Sequence, residues 1–120
     1  MATSDSCCTI VPYFKTTEEN FPIFKATCDQ FVELTQKEEK VLFYGFSFNG
    51  TTIHCREGYE GAEGVLAHFA NVGELLQKAL ELSELARLEI HGPAEELAKL
   101  KEPLSHLEID YYTLEYGFRR

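Results

Sequence analysis

Tryptophan is absent from this sequence and methionine occurs once, so no indole is available to line a pocket. No apolar run comes near the ~18 residues that would span a bilayer, which excludes a membrane helix. Basic residues are scarce, 11 Lys and Arg against 20 Asp and Glu, for a net charge of −9. Binding to a phosphate backbone needs clustered Lys and Arg to displace counterions. An acidic surface repels nucleic acid and anionic membranes at long range, so neither is expected as a partner. Cys7, Cys8, Cys28 and Cys55 contain no CxxC pair and suggest no disulfide framework. The opening MATSDSCC lacks the basic-then-apolar order of a secretory leader. Reduced thiols and a cytoplasmic location are therefore expected.

Other motifs are missing too. His54, His68, His91 and His106 show no HxxxH or His-Cys ligand spacing, so no metal site is expected. No GxSxG or Cys/His signature supports a covalent nucleophile. The stretch GYEGAEG (Gly58–Gly64) superficially suggests a phosphate loop. Its spacing is neither Walker-type nor GxGxxG, and Glu60 and Glu63 would repel phosphate. No cofactor is expected.

What is present is a folding composition, 44% apolar and 12% aromatic over 120 residues. Surface scaling for 13.7 kDa gives roughly 6,600 Å² folded against roughly 20,000 Å² unfolded, enough burial for one core. The reading is one domain over residues 8–120 behind a flexible polar arm at 1–7. Cys8–Phe14 is β-rich, and Pro12 within it argues for an edge or a strand end. A helix is expected from Asn20 to Gln36, with Phe21, Phe24, Cys28, Phe31 and Thr35 at helical spacing. Val41–Phe48 and Thr51–Arg56 flank Asn49-Gly50, the signature of a type I′ hairpin. A second helix is expected over Gly61–Leu80 and a strand over Ala86–His91. Gly92-Pro93 then opens a short helix, and the tyrosine-rich strand Ile109–Tyr116 follows. The order βαββαβ, then αβ, is an α+β ferredoxin-like arrangement.

Such a sheet has helices on one face only. A two-residue turn at Asn49-Gly50 pairs Phe48 with Thr51, Phe46 with Ile53 and Tyr44 with Cys55. The helix-facing side then holds Leu42, Tyr44, Phe46, Phe48, Ile53 and Cys55. The other side holds Val41, Phe43, Gly45, Ser47, Thr52, His54 and Arg56. The last strand is apolar on both sides. A homodimer that covers the open face is expected, since an exposed aromatic strand is an aggregation site. Arg56, Arg87, Glu89, His54 and His91 fall on that face, with Arg–Glu pairing across the two copies expected.

The segment Phe43–Phe69 joins the hairpin, Arg56-Glu57-Gly58-Tyr59-Glu60 and a helix carrying Ala67-His68. In this it resembles the antibiotic biosynthesis monooxygenase family. Members often carry an acid and an aromatic at the end of the third strand and an alanine-histidine pair about ten residues on. The resemblance implies a dimeric α+β barrel with a ligand pocket between sheet and helices. The chain departs from the pattern in lacking tryptophan and in inserting Gly92–Leu104 before the last strand.

On that resemblance His68 and Tyr59 are the candidate catalytic residues; Tyr44, Phe46, Glu57 and Phe69 are candidate ligand contacts. His68 lies at the border of the apolar stripe of its helix, where its ordinary pKa near ~6.5 would suit a base. A half-exposed helix histidine without a role is the competing reading. Tyr59 either holds a substrate oxygen or packs at the strand-to-helix corner. Glu57 either orients His68 or is solvated or paired with Arg56. Tyr44 and Phe46 either line the pocket or fill the core. The function expected is cofactor-independent monooxygenase-like chemistry on a small aromatic or quinol-type molecule. The alternative is a non-catalytic dimeric small-molecule-binding or stress-related module.

Overall fold

A computed structural model describes residues 2–120. Strand β1 is Cys7–Thr16, helix α1 Phe21–Thr35, β2 Val41–Asn49, β3 Thr52–Glu60, α2 Gly61–Leu82 and β4 Ser83–Gly92. A short helix α3 (Ala94–Ala98) leads to β5 (Asp110–Thr113). The strands form one sheet in the order β2-β3-β1-β4-β5, antiparallel except for the parallel β4–β5 pair. This is the ferredoxin-like βαββαβ sheet with an added helix and C-terminal strand. The long helices cover one face. The core falls into one cluster around Ile10, Tyr59, Val65 and Ile90, and a second around Phe14, Phe24, Ile53 and Val72. Among the described residues no helix is long and apolar enough to cross a membrane.

Pro12 does not mark an edge. β1 lies between β3 and β4, with Pro12 opposite Leu88. Its missing N–H is tolerated because the ladder to β3 skips Val11 and Pro12, pairing only Cys7–Ile10 and Tyr13–Lys15. In the gap, the ring of His54 donates from Nδ1 to the Pro12 carbonyl at 2.8 Å.

The hairpin turns one residue later than expected. Asn49 pairs with Thr52, so the loop is Gly50-Thr51, and only Gly50 has a positive φ, 58°. A glycine with positive φ at the first central position alone is the type II′ arrangement rather than I′. Phe48 therefore faces Ile53, Phe46 faces Cys55, and Tyr44 faces Glu57. Each partner moves by two residues, so every side chain keeps its expected face. The shift also adds Glu57 to the helix-facing side.

β3 continues four residues beyond Arg56, to Glu60. Glu57 and Tyr59 are thus alternate residues inside a strand, not corner residues. The corner is Gly61, with φ 62°. A side chain there would be strained, and its Cβ would lie 2.6 Å from Glu96 Oε1. That Glu96 oxygen accepts the N–H of Ala62 at 2.8 Å and so caps the start of α2 from α3.

Residues 2–6 are tied to the C-terminal segment: Ala2 bridges Tyr116, Thr3 N–H donates to the Glu115 carbonyl at 3.0 Å, and Asp5 pairs with Arg119 at 2.9 Å. Met1 lies outside the described residues. On the open face, Arg87 pairs with Glu89 of its own strand and with Asp110 at 3.1 Å, and His91 contacts Glu89 at 2.7 Å. The Arg–Glu pairing expected between copies is thus met within one chain, because residues two apart on a strand project side by side.

Candidate active site

Strand alternation sends Cys55, Glu57 and Tyr59 toward α2, and all three are buried, at 1%, 4% and 0% exposure. Helix α2 comes close to β3 at Gly64, where a Cβ would lie 2.9 Å from Tyr59 Cβ and 3.1 Å from Lys40 Cβ. His68 is one turn further on the same side of the helix. It is 4% exposed, not at a border with solvent as its place beside the apolar stripe suggests. The rings of Tyr44 and Tyr59 pack on it at 5.4 and 4.9 Å between centroids, and Phe69 adjoins at 6.2 Å.

Both nitrogens of His68 face carboxyl groups. Nδ1 lies 2.8 Å from Glu38 Oε2, and Nε2 lies 3.4 Å from Glu57 Oε1. The same Glu57 oxygen accepts the Tyr59 hydroxyl at 2.6 Å. Glu57 is therefore neither solvated nor paired with Arg56. Arg56 points to the opposite face of the sheet, where its guanidinium sits over the Phe43 ring at 4.9 Å. Glu38 was not legible as a site residue. It belongs to the run Lys37-Glu38-Glu39-Lys40 between α1 and β2, which reads as a solvated turn, and no spacing ties it to His68.

Burial governs the charges here. It pushes the Glu57 carboxyl up to about 8, against hydrogen bonds from Tyr59 and Cys55 that pull it down. Burial also lowers His68, with Glu38 acting in the other direction. The hydroxyls of Tyr44 and Tyr59 and the thiol of Cys55 are raised, first by burial and then by nearby charge. At neutral pH the site therefore holds a proton on Glu57 beside an uncharged imidazole.

A cavity of about 60 Å³ opens between the sheet and the helices. Its polar wall is Tyr44, Cys55, Glu57 and His68; Phe46 and Phe69 adjoin, and the rest is apolar. Tyr59 is not on the wall and stands behind Glu57. The lining runs along α2 from His68 to Leu80, about 18 Å at 1.5 Å per residue. Cys55, Glu57 and His68 in the polar wall are buried, whereas Tyr44, Phe46 and Phe69 beside them and Leu76, Leu80, Leu85 and Leu107 further along are half-buried. Glu38 and Glu57 approach opposite sides of His68 and do not converge on one point. Among the described residues no three His, Cys, Asp or Glu side chains come together as a metal site.

No protein-family model matches the chain, and no curated protein matches it. Solved structures do. MupZ from Pseudomonas fluorescens is 44% identical over all of this chain and 94% of that one, with a TM-score of 0.94. A conserved protein of unknown function and possible oxidoreductase from Bacteroides thetaiotaomicron is 21% identical over 72% of this chain and 97% of that one, with a TM-score of 0.65. An antibiotic biosynthesis monooxygenase is 14% identical over 69% of this chain and 92% of that one, with a TM-score of 0.61. The chain belongs to the family of MupZ, on the fold of the antibiotic biosynthesis monooxygenases that its hairpin and second helix resemble.

Proposed function

We propose that the chain is an acid–base enzyme acting on a small molecule with an oxygen function at one end of an otherwise apolar body. The observation that carries this is Glu57 and His68 buried side by side in the wall of an otherwise apolar cavity. A substrate oxygen reaching both from the cavity would give up its proton to His68 Nε2, and the oxyanion left behind would accept a hydrogen bond from protonated Glu57. The hydrophobic wall excludes water and strengthens both interactions. Tyr59 acts through Glu57, to which its hydroxyl is bonded, rather than on the substrate. Tyr44, Phe46 and Phe69 flank the same wall and would hold the substrate.

Cofactor-free oxygenation is the form of this chemistry that the resemblance implies. His68 would take the proton of a phenol or quinol, and the anion would give an electron to O₂. The fold shared with an antibiotic biosynthesis monooxygenase and a possible oxidoreductase supports that version. The geometry itself supports proton transfer, whichever step follows. The working form would be a homodimer that covers the open sheet face.

Oxygen uptake with a panel of quinols, and deuterium exchange into ketones followed by NMR, test both versions. Turnover is expected to fall about 10²- to 10⁴-fold in Glu57→Gln and in His68→Ala. Undiminished turnover in either variant would sink the mechanism. A folded protein that binds panel members and turns over none is the non-catalytic binding module instead.

A further inference from the structure

Glu38 enters the site from outside the cavity, and its surroundings are peculiar. Its side chain is 8% exposed. One oxygen, Oε2, receives Asn71 Nδ2–H at 2.9 Å as well as facing His68 Nδ1 at 2.8 Å. Asn71 also donates to the Leu34 carbonyl at 2.9 Å, which fastens α2 to the end of α1 at that point. The other oxygen, Oε1, is buried with no hydrogen-bond partner among the described residues.

We propose that Glu38 is a positioning residue that keeps the ring proton of His68 on Nδ1 and so leaves Nε2 bare toward Glu57. This rests on the acid–base reading of the cavity, but its physical content stands apart from turnover. A carboxylate can only accept, so the nitrogen it faces carries the hydrogen. The lone pair of Nε2 is then aimed across 3.4 Å at Glu57 Oε1. When Nε2 takes a proton, the imidazolium forms against Glu38 and its charge is matched on the far side. The groups that face His68 are Glu38 from the turn after α1, Tyr44 from β2, and Glu57 and Tyr59 from β3. None of these is a cation, and Glu38 is the carboxyl group that contacts the ring away from the cavity. Neutral imidazole in water favours the other tautomer, so the arrangement has a distinct signature.

The test is nitrogen-15 NMR of the histidine rings in the wild type, Glu38→Gln and Glu38→Ala. The wild type is expected to show a protonated Nδ1 and a bare Nε2 at His68. In Glu38→Ala the proton moves to Nε2 and the titration midpoint of His68 falls. Glu38→Gln, of the same shape without the charge, also lowers the midpoint. His54 and His91, on the other face of the sheet, report that the variants remain folded. A wild-type His68 protonated on Nε2 with Nδ1 bare overturns the proposal by itself, even if both variants unfold. So does a folded Glu38→Ala in which neither tautomer nor midpoint changes. On a turned-over substrate, Glu38→Gln should lower kcat on the order of 10²-fold at unchanged KM. Undiminished turnover in Glu57→Gln and His68→Ala, with the tautomer as expected, would remove the acid–base mechanism and leave this proposal standing.

Discussion

Glu57 has an ordinary acid's chemistry and an extraordinary place for it. Its pKa is raised to about 8 in the folded chain. The unfolded chain therefore loses this proton near pH 4.5 while the folded chain keeps it, and stability from this group falls as pH rises from there to about 8. Glu57→Gln keeps an acceptor for Tyr59 and removes the charge. It should be nearly neutral at pH 4.5 and stabilising at pH 8.5, by on the order of 3 kcal/mol after relaxation of the site. Thermal melts at the two pH values measure this, and an equal effect at both would contradict the burial argument. Strand alternation alone put Tyr44 and Phe46 on the helical side. Glu57 was ambiguous because the strand was ended at Arg56, one residue too soon to decide its face. Glu38 was invisible for a different reason: its contact with His68 joins residues 30 apart, and only the folded α1–α2 packing brings them together.

The elements that build the candidate site are α2 and β3, and their separation is set at Gly64. Alanine there would improve helix propensity by about 1 kcal/mol but force α2 away from Tyr59 and Lys40, at a cost of about 1–3 kcal/mol. Gly64→Ala should therefore cost about 0–2 kcal/mol of stability and still displace His68 from Glu57. Turnover and the His68 ring shifts are expected to move more than stability does. The order of the elements, the two-layer arrangement and the parity of the hairpin were all readable from periodicity and turn residues. The boundaries were less so. Nothing local tells β3 to run on through Glu57-Gly58-Tyr59; a pairing of Tyr59 with Cys8 on β1 and Val41 on β2 holds it extended.

At the scale of the molecule, the surface of 7471 Å² exceeds the roughly 6,600 Å² usual for this mass. The excess agrees with an open sheet face, where Val11, Tyr13, Phe43 and Tyr112 lie without a covering layer. Sedimentation should give twice 13.7 kDa, about 27 kDa. Tyr13→Glu, at the centre of the face on β1, should return a folded monomer, and an unchanged dimer in that variant would place the contact elsewhere. The cavity has its own outcome at this scale. A void of about 60 Å³ is smaller than most organic ligands, so the half-buried side chains in its wall would have to give way for each arrival and departure. A noble gas needs no such concession. Xenon dissolved under pressure should settle there, shift the methyl signals of Leu76, Leu80 and Leu85, and be driven out by any compound that truly belongs in the site.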